Sequence, residues 1–547
     1  MRVSFSTMVA AVGLVVGLVA CRGSDAPDMI PSDGGGTGGA GGAAGAPHGG
    51  SGGEFSDAET DAETDAETDA EQSSDTEAGD EVPEISACGD YEILCGTNCC
   101  DNETEKCQDD ECVPKCAGKG TICGNEQVCN VANECIRGCF INGTVYVHGD
   151  ANPSNSCQNC SAASTTSWTA VSPGSPCNQN GGYMCNRAGK CVIPPTISVG
   201  MDHTCAVTPE GRGMCWGRNA RGQLGTGSTE NKNVPASVSW LSTKLVSITA
   251  GRQHTCALDS AGQALCWGGN GDGELGDGTT DNKNVPTPVV GLGSGVIAIS
   301  AGDTHTCAIA AGGAAMCWGG NDYGQLGLDT TASESTPTPV LGLSSNVVAI
   351  SAGQGHTCAV NSIGAVLCWG RNTYGQLGDN TLEQRHTMTL VLGISGGIAV
   401  SAGTSHTCAA TSAEEVMCWG GNQSGLLGDG TTTDKKVPTL VSGIEPGFRP
   451  VSAGAGHNCV VAATGGVFCW GNNDYGQLGD STNEARHVPT PVTGLESAVV
   501  TVSAGVQHSC VVTWDGEAMC WGSNYSGKLG DGTDEDRNAP VLVNGFP

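Results

Sequence analysis

The sequence predicts an all-β fold, a seven-bladed β-propeller, on three observations. A short motif recurs seven times, with its first cysteine at Cys205, Cys256, Cys307, Cys358, Cys408, Cys459 and Cys510, so copies stand 51 residues apart with one step of 50. A fixed period of this length marks stacked supersecondary units. Each copy also offers four short β-prone runs bounded by Gly, Asn, Asp and Pro; in the second copy they are 245–248, 254–258, 264–267 and 287–290. Between them lies no apolar 3.6-residue pattern of helix length. Four strands repeated seven times read as a propeller.

The central hairpin of each copy can be set in register. With Cys256 opposite Cys266, the loop is Ser260-Ala261-Gly262, and a three-residue loop wants Gly at its last, left-handed position. Gly211, Gly262, Gly313, Gly364, Gly465 and Gly516 stand there in six copies, while the fifth has Glu414. The fifth turn is therefore expected to be strained or differently built.

His-Thr-Cys-Ala, then Cys-Trp-Gly-x-Asn, then Gly-Gln-Leu-Gly-x-Gly is complete from His203 to Gly227 and near-complete in the other copies. This pattern is similar to the repeat of the regulator of chromosome condensation family over residues 194–547. The resemblance implies a seven-bladed propeller. The paired cysteines depart from the eukaryotic pattern and resemble a secreted bacterial branch.

The chain begins Met1-Arg2, followed by an apolar run from Val9 to Ala20 that ends Leu18-Val19-Ala20-Cys21. The run is too short for a membrane span and fits a secretory signal. Its end resembles the bacterial lipoprotein cleavage box, which would make Cys21 a lipidated N-terminus. An ordinary signal peptide with a chance Cys is the alternative. Arg22 after the Cys resembles outer-membrane sorting in enteric bacteria, so the expected location is the outer membrane or cell surface. Residues 22–87, Gly/Ala-rich and then repeating Asp-Ala-Glu-Thr, are expected to be a disordered acidic tether, because nothing in them buries a core. As a flexible coil the tether would span on the order of 45 Å, more with charge repulsion.

Residues 88–193 hold sixteen cysteines between Cys88 and Cys191, the density of a disulfide-stapled region. Cys157 and Cys160 have the spacing of half a zinc site, but no matching half follows, so oxidation is expected and no metal. In residues 194–547 the register places both cysteines of a copy opposite each other, within bridging distance. Neighbouring sheets pack about 10 Å apart, too far for bridges between copies. The expected pairs are Cys205–Cys215, Cys256–Cys266, Cys307–Cys317, Cys358–Cys368, Cys408–Cys418, Cys459–Cys469 and Cys510–Cys520. Buried free thiols are the alternative that a cytosolic location would favour.

Seven histidines precede the first cysteines: His203, His254, His305, His356, His406, His457 and His508. A ring of seven invites a metal or proton site, but the same position in every blade points to a blade-internal hydrogen bond. Trp216, Trp267, Trp318, Trp369, Trp419, Trp470 and Trp521 are expected to pack between blades rather than stack on sugars. Trp240 and Trp514 break the repeat, and Trp514 stands at a hairpin tip. Gly222 to Gly225 is not a phosphate loop, since it lacks the Lys-Ser/Thr ending and the helix.

Two residues before each histidine vary freely: Met201 and Asp202, Arg252 and Gln253, Asp303 and Thr304, Gln354 and Gly355, Thr404 and Ser405, Ala455 and Gly456, Val506 and Gln507. A constant frame with variable loops is how a recognition surface is made, and drift at exposed positions gives the same pattern. Neither a nucleophile elbow nor a zinc-protease helix motif is present, and no cofactor is implied. A net charge of −34 argues against nucleic acid as a partner. The leading expectation is a non-enzymatic, surface-displayed binding protein for a protein or surface polymer, touching the membrane only through its lipid. Guanine-nucleotide exchange on a small GTPase, the activity the resemblance implies, and a propeller-based hydrolase or lyase are the alternatives.

Overall fold

The computed structural model describes residues 191–448 and 451–546 without a break and, before them, strands and a turn between Glu92 and Cys185. Cys21, the 1–21 leader and the 22–87 tether lie outside the described residues. The chain divides into two compact units, residues 18–113 and the remainder. Residues 18–113 contain the hairpin Glu92–Cys95 with Asn98–Asp101. The second unit opens with a four-stranded sheet running from Ile122 to Val147, followed by a three-stranded sheet between Ala151 and Ala170. Cys129 stands opposite Cys135, and Cys185 opposite Cys191.

From Thr196 to Leu542 the chain is all β: seven consecutive four-stranded antiparallel sheets, each with its strands in chain order. In the fourth the strands are Val347–Ala352, His356–Asn361, Val366–Gly370 and Arg385–Leu390. Helical structure among the described residues is confined to two single turns, Gln423–Gly425 and Tyr525–Gly527. The last sheet is bonded to the first, for the amide of Val199 donates to Ser503 Oγ at 3.1 Å. This architecture is that of a β-propeller.

Period-2 alternation is muted in the second and third strands because neighbouring sheets cover both their faces; His203–Val207 and Gly213–Gly217 are buried throughout. The fourth strands are half-exposed edges, and six carry a proline near mid-strand: Pro235, Pro286, Pro337, Pro438, Pro489 and Pro540. Proline lacks the N–H that would recruit another strand. Met388 takes its place in the fourth sheet and packs inward against the cluster around Trp369.

Cys358 opposes Cys368, and the same register holds in all seven hairpins. The structure joins each such pair by a disulfide with Cα atoms 4.1 Å apart. That separation belongs to the closer, non-hydrogen-bonded kind of cross-strand pair. Glu414 has φ +62°, in the same region as Gly364 at +79°. Its amide bonds to the Thr411 carbonyl as that of Gly364 does to Asn361. The fifth turn keeps the common geometry, with a Cβ in the left-handed region.

The tryptophans sit between sheets. Trp318 belongs to a cluster with Val246, Leu258, Leu275 and Val289 of the preceding sheet. Its indole N–H donates to the Glu274 carbonyl at 2.8 Å. The approach is close: a Cβ on Gly276 would lie 2.6 Å from Trp318 Nε1, which reserves that site for glycine.

Candidate recognition face

One end of the sheet array is built from two sets of turns. The turn between first and second strands carries the variable pairs that precede each histidine. The turn between third and fourth strands carries Trp-Gly-x-Asn-x-x-Gly. The sequence welds them together. Arg371 N donates to the Gly355 carbonyl at 2.8 Å, and Gly269 N to Gln253 at 2.7 Å. Adjacent sheets are tied at the same level, as by Gln354 N to the Gly403 carbonyl at 3.2 Å.

Two side chains shape the second turn from inside. Asn372 is fully buried and accepts from Leu377 N at 3.0 Å. Gln376 Oε1 accepts from Tyr374 N at 2.9 Å and so pins the middle of the turn. Gln223, Glu274, Gln325 and Gln477 do the same in their sheets. Burial raises the pKa of the Glu274 carboxyl. In the fifth and seventh sheets Leu426 and Lys528 occupy this position. There the turn tightens to a single 3₁₀ turn, with Ser424 and Ser526 at φ +61° and +63°.

Beneath the turns the histidines correct the expected blade-internal bond, because each reaches the next sheet. His203 Nε2 lies 2.8 Å from Thr255 Oγ1, and His508 Nε2 closes the circle on Thr204 Oγ1 at 2.9 Å. The remaining five meet Thr306, Thr357, Thr407, Asn458 and Ser509. The hairpin register says which residues face across one sheet, not which residues of the next sheet stand alongside, so the sequence left this partner hidden.

The network also fixes the tautomer. Thr255 Oγ1 spends its only proton on the Gln223 carbonyl, so it must accept from His203. The same holds around the circle, and each imidazole carries its proton on Nε2. Burial pushes His203 and His406 down to about 4, and His254, His305, His356 and His457 down to about 3. His508 is held well below the usual imidazole value by burial and by the neighbouring Lys528. These are neutral structural groups, and no cluster suited to a metal ion occurs among the described residues.

Met201, Asp202, Gln253, Asp303, Thr304, Gln354, Thr404, Ser405, Val506 and Gln507 are half-exposed on this end, and Arg252 is exposed. Burial raises the pKa of Asp303 against the opposing effects of Gln354 and Arg252. Trp514 does not join them. It stands on the turn between second and third strands, at the opposite end of its sheet, and is half-buried; the freely exposed indole is Trp240.

The sequence reading missed a second set of residues on the same end. All four tyrosines of the array occupy the Asn-x-x-Gly turns: Tyr323, Tyr374, Tyr475 and Tyr525. Arg371 lies over the Tyr323 ring at 5.2 Å. Arginines of the described array sort into two groups. Arg385, Arg486 and Arg537 clamp Asp379, Asp480 and Asp531 in the outer loops, and Arg212 pairs with Glu210. The others, Arg218, Arg221, Arg252 and Arg371, stand in the turns of this end. Arg252 already stood among the variable pairs; for the other arginines and the tyrosines the available signal was position, since they fill the variable x sites inside an otherwise constant turn motif.

The RCC1-like domain matches residues 84–392 and 238–547 in two overlapping registers. The chain belongs to the RCC1-like domain family. The ultraviolet-B receptor UVR8 of Arabidopsis thaliana is 31% identical over 374 residues, covering 66% of this chain and 72% of the receptor. Human E3 ubiquitin-protein ligase HERC2 is 30% identical over 360 residues, which are 64% of this chain but 6% of the ligase. Among solved structures, yeast RCC1 (Prp20) bound to Kap60 superposes with a TM-score of 0.55 at 23% identity, over 63% of this chain and 83% of that one. These likenesses to a receptor and to a fraction of a ligase agree with a shared binding module.

Proposed function

We propose that the chain is a non-enzymatic recognition scaffold whose seven sheets form the seven blades of a closed propeller and whose turn end docks a protein partner. The observation that carries this is the sorting of residue types. Tyrosine and arginine are, with tryptophan, the side chains enriched in binding hot spots, and the four tyrosines and the four arginines outside salt-bridge duty in the outer loops and hairpin tip share one end. Relatives supply a precedent, for Kap60 is bound to yeast RCC1 in one structure, and another is described by the binding of Prp20p to Gsp1p and histones. Cys21 lipidation, the tether and the cysteine-rich region would display this end from an outer membrane. Guanine-nucleotide exchange remains the alternative reading, and the repeats, which keep steps of 50 or 51 residues, carry no inserted element that would favour it.

The test compares two ends of one molecule. Partner capture from the native envelope by the full chain should fall at least about tenfold with Tyr374→Ala plus Arg252→Ala. Ile363→Ser, at an exposed tip of the opposite end, should leave capture unchanged. Equal loss in both variants, or in neither, sinks the assignment of the face. Metabolic labelling with a palmitate analogue, present in the wild type and absent in Cys21→Ser, tests the anchor.

A further inference from the structure

The cleft between the sixth and seventh sheets is an open groove of about 350 Å³ lined by Tyr475, Asn483, Asp536 and the strand from Arg537 to Val541. Tyr475 is 40% exposed, and its backbone amide donates to Gln477 Oε1 at 2.9 Å, which holds the turn that carries the ring. The polar side chains around it are only partly used. Asn483 Nδ2 donates to the Asp474 carbonyl at 3.0 Å, and Asn538 Nδ2 makes a long 3.5 Å contact with Asn483 Oδ1. Asp536 Oδ1 accepts from Asn524 N at 2.7 Å, and Asp536 is one of the residues that line the cleft. Arg537 is consumed by Asp531 and Glu535, so the groove presents no unpaired cation for an anionic ligand.

An aromatic wall, two amides and one carboxylate oxygen, with no net call for charge, describe the chemistry that holds a sugar ring. We propose that this groove binds one pyranose unit of a neutral glycan. The Tyr475 ring covers the apolar C–H face of the sugar, and Asn483, Asn538 and Asp536 take its hydroxyls. Its volume lies at the low end of small-ligand sites.

The internal repeats provide the contrast. The cleft between the fourth and fifth sheets has the same tyrosine, Tyr374, but sets Leu382 and Lys436 where this one has Asn483 and Asn538. Among the seven clefts, the combination of tyrosine with two asparagines occurs once. Asparagine recurs at the Asn538 position as Asn233 and Asn284, whose amides bond to the Gly532 and Gly227 carbonyls, so what sets this cleft apart is Asn483 together with Tyr475.

The site shares Tyr475 with the docking end proposed above, but Asn483 and Asn538 lie outside the turns that carry that end, so Asn538→Leu separates the two readings. Titration calorimetry and saturation-transfer NMR on the full chain would use maltotriose, cellotriose, mannotriose and triacetylchitotriose as probes. At least one should bind with a single site, weakened about tenfold by Tyr475→Ala and by Asn538→Leu and unchanged by Tyr374→Ala. Thermal unfolding would establish that the variants are folded. Failure of all four probes to bind, or binding indifferent to Tyr475 and Asn538, overturns the proposal. Loss of partner capture with sugar binding intact would fall on the docking reading alone.

Discussion

Six of the seven sheet junctions are crossed by the chain itself, and the seventh is not; the two kinds are built differently. At an ordinary junction one backbone carbonyl serves two donors. The Gln325 carbonyl accepts from Thr357 Oγ1 at 2.7 Å and from Trp369 Nε1 at 2.8 Å. At the closing junction the Lys528 carbonyl accepts from Thr204 Oγ1 at 2.8 Å, while Trp216 Nε1 has no partner. What replaces the lost bond is ionic. Lys528, its side chain 1% exposed, reaches Asp202 Oδ1 at 3.3 Å and the Met201 carbonyl at 3.4 Å, and Asp202 also holds Arg218 at 3.2 Å. Where the chain supplies continuity, neutral hydrogen bonds suffice; where two ends must find each other, the junction adds a buried charge pair.

The largest test of this contrast is acid, because every junction depends on a neutral histidine. An unfolded imidazole takes up its proton near pH 6.5, whereas the folded ones wait until about 3 to 4. Between those values the unfolded chain binds more protons, so stability is full above about pH 6.5 and falls as the pH drops. Each histidine contributes about 1.4 kcal/mol per pH unit in that window. Urea denaturation followed from pH 7 to pH 5 should show a loss on the order of 10 kcal/mol, summed over the seven histidines, that exceeds anything a single substitution causes. A flat profile would mean that the junctions are not held by neutral imidazoles.

Next in size is the seam itself. Lys528→Ala takes one of two cationic partners from Asp202, whose side chain is 13% exposed, and the expected cost is about 3 kcal/mol. Gln376→Ala, which loses one turn-pinning bond at an ordinary junction, should cost about 1 kcal/mol. Chemical denaturation of the two variants side by side sharpens the comparison, and equal costs would erase it.

Disulfides come third. Each closes a loop of about eleven residues, so replacing both cysteines with alanine should cost about 2–3 kcal/mol in the chain-entropy model, and less where the hairpin already restricts the chain. Cys205–Cys215 beside the seam and Cys358–Cys368 opposite it close loops of the same size. Their removal should cost the same; a larger loss at the first would place the weak point of the ring at the seam. The smallest effect is expected at Glu414→Gly. It relieves a left-handed residue within one sheet and should stabilise by about 0.5–1 kcal/mol, whether or not Lys528 is intact.

What could be read from the sequence follows the reach of its periodicity. The hairpin register was legible because Cys, turn glycine and Cys-Trp-Gly fall at fixed offsets inside one repeat. The opposition of Cys358 and Cys368 needed nothing from elsewhere. The partner of His356 was not legible, because Thr407 lies 51 residues on and meets it only once sheets stand side by side. Lys528 stands where four other copies of the Gly-x-Leu-Gly motif have Gln, and its partner is Asp202, 326 residues away. The face was half legible. Variable pairs such as Arg252 and Gln253 drew notice as loops, while Tyr323, Tyr374 and Tyr475 were passed over because they sit inside the motif taken as frame.

The disulfides join residues ten apart in sequence, always within one hairpin. They therefore carry no message about which sheet belongs beside which. In a chain of seven near-copies that matters, because swapping of like for like is the characteristic error of repeat proteins. Oxidation here can finish hairpin by hairpin as the chain emerges, with no bridge waiting for a distant mate and none able to record a wrong neighbour. Sorting the sheets into order is left to reversible contacts, which can be undone and tried again. The permanent bonds are made where mistakes are hardest to make, and the revisable ones where they are easiest.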